Sequence, residues 1–107
     1  MNEPFATALA SFVAHAQSKV DQNNAEMQSK FPAPRISAME PGPKYIRLVK
    51  SEGGSVSPVS RSAFGFVDLA TGNLLMAKSW KAPALNFARG NIFQPETWGC
   101  CSPWSVR

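Results

Sequence analysis

The sequence has 107 residues, 44% hydrophobic and 17% charged, with eleven Lys and Arg against seven Asp and Glu for a formal charge of +4. That length suits one domain able to bury a modest core without metals or several disulfides, and the composition is that of a chain most of which folds. No apolar run approaches the ~20 residues that span a bilayer, and the N-terminus lacks the basic and apolar regions of a secretory signal, so the expectation is a cytoplasmic protein with no membrane partner.

The predicted elements begin with a helix over residues 1–30. Asn2 can cap it, Glu3 suits its positive end, and Pro4 fits a first turn where its missing N–H costs nothing. Phe5, Leu9, Phe12, Val13, Ala16 and Val20 recur at spacings of three and four and form one apolar stripe. Phe31-Pro32 must end the helix. Residues 31–43 contain repeated prolines, which remove donors and bias their predecessors toward extended backbone, so this stretch reads as a connector or as a loosely spaced polyproline-like ligand segment.

Strand signals start at Lys44, with Tyr45, Arg47 and Val49 alternating with Ile46, Leu48 and Lys50. A Gly- and Ser-rich loop follows, from Ser51 to Ser60. A second strand is predicted from Ser62 to Asp68, with Phe64 and Phe66 on one face and Ala63, Gly65 and Val67 on the other. The small residues there admit close approach by a helix or a ligand. Asp68 to Asn73 has turn chemistry, and Leu74 to Lys78 returns as a third strand. After Pro83, a short helix through Ala84 to Arg89 would close at Gly90 in the C′ position. Residues 94–107 read as an irregular tail. The expected fold is α+β, an N-terminal amphipathic helix packed on a small three-stranded antiparallel sheet formed within residues 44–93, with a Trp-containing C-terminal tail.

Residues Lys44 to Val49, Phe66-Val67-Asp68, Thr71-Gly72-Asn73, Ser79 to Ala84 and Arg89 to Phe93 together resemble a recurrent group of small bacteriophage proteins of unassigned function. The resemblance covers the span from Lys44 to Phe93, roughly half the chain. It implies a phage origin and an infected bacterial cytoplasm as the place of action. It transfers no activity, cofactor or catalytic residue.

Positive charge concentrates in the sheet region, at Lys44, Arg47, Lys50, Arg61, Lys78, Lys81 and Arg89, against Glu52 and Asp68. Trp80 between Lys78 and Lys81 can stack a base while the ammonium groups meet phosphate, and Tyr45, Arg47 and Arg89 can extend that surface. The competing reading puts Trp80 in the core beside Pro83 with the lysines reaching outward. Arg89-Gly90-Asn91 can hold a phosphate through guanidinium and backbone N–H groups, or can simply end a helix. Gly53-Gly54 lacks the spacing of a phosphate-binding loop.

Catalytic signatures are missing from the sequence: His15 has no acid or nucleophile at a motif spacing, no serine sits in a nucleophile elbow, and Glu52 and Asp68 form no paired-carboxylate motif. The cysteines, Cys100 and Cys101, are adjacent, so two free thiols are expected rather than a strained vicinal disulfide, and with His15 alone they make no zinc set. No cofactor is implied. Trp98 and Trp104 in the tail either fold back over the sheet or anchor another protein.

Two non-enzymatic functions therefore compete. One is a binding protein for nucleic acid or a phosphorylated nucleotide, using Arg47, Lys78, Trp80, Lys81, Arg89 and Asn91. The alternative is a phage-encoded inhibitor of a host protein complex, acting in host takeover or anti-defence in the manner of an anti-CRISPR protein, with Trp98 and Trp104 as interface anchors. An uncovered edge of so small a sheet could also pair with a second copy to give a homodimer.

Overall fold

The computed structural model describes residues 3–27, 34–39, 42–52, 60–85, 88–102 and 105–106. Helix α1 (Glu3–Glu26) buries Phe5, Leu9, Phe12, Ala16 and Val20, the stripe expected from their spacing. Val13 lies half-buried at its border and the polar residues fall outside it. The proposed cap, Asn2, lies outside the described residues. Each fully buried Phe or Val removed from water contributes on the order of 1.5–3 kcal/mol, so the stripe is what holds the helix to the sheet.

That sheet has five antiparallel strands in chain order: β1 (Arg35–Ala38), β2 (Tyr45–Glu52), β3 (Ser60–Asp68), β4 (Asn73–Leu75) and β5 (Gly90–Asn91). Two of these correct the expectation of three strands. β1 lies inside the stretch read as a connector. Its four residues contain no proline, so every donor is present, and Arg35 to Ala38 pair in register with Ser51 to Leu48. The prolines flank the strand rather than interrupt it. β5 falls where a helix cap was expected. Gly90 pairs with Leu74 and Asn91 with Asn73, and Ala84, Leu85, Ala88 and Arg89 are not helical. A Cβ on Gly90 would stand 2.8 Å from the Thr97 carbonyl oxygen, so glycine is required there by close approach. The positive φ of 79° belongs to Gly72, in the predicted β3–β4 turn.

Register also decides which side chains share a face. Leu48 stands opposite Gly65 while the next residue, Val49, stands opposite Ala63, so Phe64 is an extra residue in β3, a bulge. The bulge puts Phe64 into the helix-side core with Ile46, Leu48, Val67 and Leu74, against the expectation that it would share a face with Phe66. Tyr45, Arg47 and Val49 on β2 and Asp68, Phe66 and Ala63 on β3 make up the opposite face. Val49 and Phe66 are buried but stand apart from the helix-side cluster.

The tail folds back. A 3-10 helix (Pro95–Cys100) replaces the irregular backbone expected there, and Cys101 then bridges to Val106. The Val106 N–H donates to the Phe64 carbonyl at 2.9 Å, and Val106 is fully buried. Its side chain fills the space above Gly65, where a Cβ would meet Val106 Cγ2 at 2.8 Å. The close approach foreseen at Gly65 is thus used by the tail. Trp104 lies outside the described residues.

Candidate functional site

The face of the sheet turned away from α1 carries the basic cluster. Past β4 the chain makes a tight turn in which the Lys78 and Ser79 N–H groups both donate to the Ala82 carbonyl, at 3.0 and 3.1 Å. A bridge between Ala77 and Pro83 closes its base. This turn carries Trp80 to Arg47 of β2. The Arg47 Nε–H donates to the Trp80 carbonyl at 2.6 Å, and its guanidinium carbon lies 4.5 Å from the indole centroid. The same carbon is 5.9 Å from the Phe66 ring, and Nη1 donates to Met39 Sδ at 3.6 Å. Arg61 approaches the indole at 5.9 Å. Trp80 is half-buried, and it packs on an arginine rather than in the helix-side core.

Beside this stack is a cleft of about 330 Å³ lined by Gly42, Pro43, Lys44, Tyr45, Arg47, Phe66 and Lys81. A turn shapes one wall, with the Gly42 N–H donating to the Tyr45 carbonyl at 2.9 Å. Tyr45 and Phe66 meet edge to face at 6.5 Å. Among the described residues, three cations and no carboxylate line the cleft, an arrangement whose positive potential low-dielectric walls focus. Asp68, opposite Tyr45 on β3, uses Oδ1 to accept the Ala70 N–H at 2.8 Å.

Arg47, Trp80 and Lys81 therefore come together as foreseen, and Tyr45 joins them. Lys78 is exposed but does not line the cleft. Arg89 and Asn91 belong to a different part of the molecule. The Asn91 amide donates to Thr71 O and Asn73 Oδ1, both at 2.9 Å, and its Oδ1 accepts the Phe93 N–H at 2.8 Å. This side chain clasps the β3–β4 turn to β5 and is committed to the fold. Arg89 stands just before β5, and its charge opposes the burial that raises the Cys100 thiol. Sequence reasoning did not assign Lys44, Phe66 or Arg61 to the site. The available signal was strand register, because Arg47 stands directly opposite Phe66.

Trp98 packs inward. Its Nε1–H donates to the Asn91 carbonyl at 2.9 Å, and its ring meets Phe12 edge to face at 5.4 Å. His15 lies 5.2 Å from the same indole. Burial and the nearby Lys19 charge push the His15 pKa down, against the opposing influence of the Trp98 backbone. Burial pushes both thiols up, Cys101 to about 11, and neither is in a disulfide. An activated nucleophilic cysteine needs the opposite shift, a lowered thiol pKa. Among the described residues, no group of three or more His, Cys, Asp and Glu could hold a metal ion, and no helix is long and apolar enough to cross a membrane.

No curated protein and no solved structure matches this chain significantly. Residues 4–103, which include all of α1 but its first residue, all five strands and the whole of the basic cleft, match the model of a family of unknown function (DUF7717), and the chain belongs to that family.

Proposed function

We propose that this protein is a non-enzymatic binding protein for nucleic acid or a phosphorylated nucleotide, and that the cleft between Lys44, Arg47 and Lys81 receives the phosphate. One observation carries the reading. Arg47 is half-buried, is held by the Trp80 carbonyl and ring, and has no carboxylate partner among the described residues. A desolvated, pre-positioned guanidinium with donors left over is suited to an oxyanion supplied from outside. Lys44 and Lys81 line the same cleft and are exposed at its rim, where they add charge without a role in the core. The cleft volume falls at the small end of the ~300–1,000 Å³ of ligand sites.

The rival reading, inhibition of a host protein complex, finds less support. Trp98 is engaged within the fold, Trp104 lies outside the described residues, and among the described residues the large apolar side chains left exposed are Met27, Leu85 and Phe93. A phage origin and action in an infected bacterial cytoplasm, implied by the motif resemblance, form part of the proposal. The test is equilibrium binding of a labelled oligonucleotide to the wild-type protein and to Lys81→Ala at several salt concentrations. Loss of one phosphate contact should weaken binding and flatten the salt dependence. Unchanged affinity and slope in Lys81→Ala would remove the cleft from consideration.

A further inference from the structure

Taking the phosphate-binding reading as its basis, we infer that the cleft accepts one nucleotide unit of a single strand. The base lies against Tyr45 and Pro43, and the phosphate lies between Arg47 and Lys81. A duplex is excluded by shape.

Four features of the cleft lead here. First, a volume of about 330 Å³ suits one small ligand rather than the convex backbone of a double helix, which would touch only the rim. Second, the aromatic platform is Tyr45. Trp80, the residue the sequence offers for stacking, already holds the Arg47 guanidinium at 4.5 Å. Tyr45 is half-buried, and Phe66 buttresses it edge to face with an interplanar angle of 79°, leaving a ring that lines the cleft beside Pro43. A base stacks on such a ring whatever its identity, because every base has a π-face. Third, polar and apolar linings are arranged as a nucleotide needs them, with cations at Lys44, Arg47 and Lys81 and rings at Tyr45, Phe66 and Pro43 within the same small space. Fourth, Arg47 spends Nε on the Trp80 carbonyl and one Nη1 donor on Met39. Its remaining donors are on the terminal nitrogens, which are the ones that pair with a phosphate.

The distinguishing experiment compares fluorescence anisotropy titrations with a labelled oligothymidylate of about twelve nucleotides, within the range one small single-strand site covers, and with a duplex of the same length. The probe is used with wild-type protein, Tyr45→Leu, Tyr45→Phe and Lys81→Ala. The single strand should bind about tenfold or more tightly than the duplex. Tyr45→Leu should lose about tenfold in single-strand affinity with its salt slope kept, and Tyr45→Phe should retain wild-type affinity, since stacking needs the ring and not the hydroxyl. Lys81→Ala should reduce the single-strand salt slope by about 0.7, the share of one phosphate contact. Equal affinity for duplex and single strand, or an unaffected Tyr45→Leu beside a weakened Lys81→Ala, overturns the single-strand inference and leaves phosphate binding standing. Absence of binding to both probes overturns both.

Discussion

The Arg47 guanidinium lies 4.5 Å from the centroid of the Trp80 indole while its Nε donates to the carbonyl of the same residue at 2.6 Å. Two contacts to one residue fix both the position and the plane of the arginine. Because Trp80 arrives on a turn closed by two hydrogen bonds to Ala82, the loop after β4 acts on β2 as a clamp. The charge is thereby held ready beside the cleft, and little side-chain entropy remains to be lost when an anion binds.

Trp80→Ala should leave α1 and the sheet folded, since Trp80 stands apart from the helix-side core. It removes the ring contact to Arg47 while keeping the backbone carbonyl that accepts from Nε, and should weaken oligonucleotide binding by up to about tenfold, given that cation–π contacts of partly desolvated groups are worth ~0.5–2 kcal/mol. Circular dichroism and anisotropy measured together check this. A Trp80→Ala protein that binds as tightly as wild type would deprive the clamp of its role.

At the other edge of the sheet, Gln17 of α1 behaves like a missing strand. Its Oε1 accepts the Ile36 N–H at 2.7 Å and its Nε2 donates to the Pro34 carbonyl at 2.9 Å. Those are backbone groups that a sixth strand would have paired. Gln17→Ala should lower stability by about 1–3 kcal/mol for the two bonds and should leave the β1 edge open to a second copy. Chemical denaturation reads the first effect and light scattering across a concentration series the second. A variant as stable and as monodisperse as wild type would mean that the amide guards nothing.

Gly65→Ala puts a Cβ 2.8 Å from Val106 Cγ2 and 3.2 Å from the Leu75 carbonyl oxygen. The tail must shift or the strand must bend, and overpacking of this kind costs about 1–3 kcal/mol. A Gly65→Ala/Val106→Ala double variant should recover part of that loss. Thermal melts of the three variants decide it; a double variant less stable than the sum of the singles would show that the two residues do not compete for the same space.

His15 gives the fold a pH dependence. Its pKa in the folded protein lies below the ordinary 6.5 because burial and Lys19 disfavour the charged ring. The unfolded chain therefore binds more protons between the lowered value and 6.5, so stability is full above 6.5 and declines as the pH falls through that window. His15→Leu should remove this part of the decline. Denaturation midpoints at several pH values measure it, and a wild-type midpoint that rises on acidification across this window would reverse the assignment.

Much of this architecture was legible in the sequence, for reasons that can be named. The α1 stripe is strictly periodic, β2 and β3 alternate, and Asp68 to Asn73 carries the residues a reversing turn requires. β1 was hidden because prolines on either side dominate the composition of its neighbourhood, although Arg35 to Ala38 themselves donate normally. β5 was hidden because a glycine after a helix-forming stretch looks like a cap, whereas Gly90 is needed for its closeness to Thr97. The bulge at Phe64, whose carbonyl accepts the Val106 N–H, has no local signature. In the site, the cationic run beside Trp80 was visible, but its division was not. Asn91 looked like a phosphate ligand and is a clasp for the β3–β4 turn, while Phe66 reaches the cleft through its register with Arg47.

The central claim, that the ligand enters the Tyr45–Arg47–Lys81 cleft, is tested most directly by following the backbone amide resonances of the labelled protein during titration with a single-stranded oligothymidylate. The account predicts shifts concentrated at Gly42, Lys44 to Arg47, Phe66 and Trp80 to Lys81, with Gly90 to Phe93 undisturbed. Shifts centred on Arg89 to Phe93, or confined to the α1 face, would contradict it.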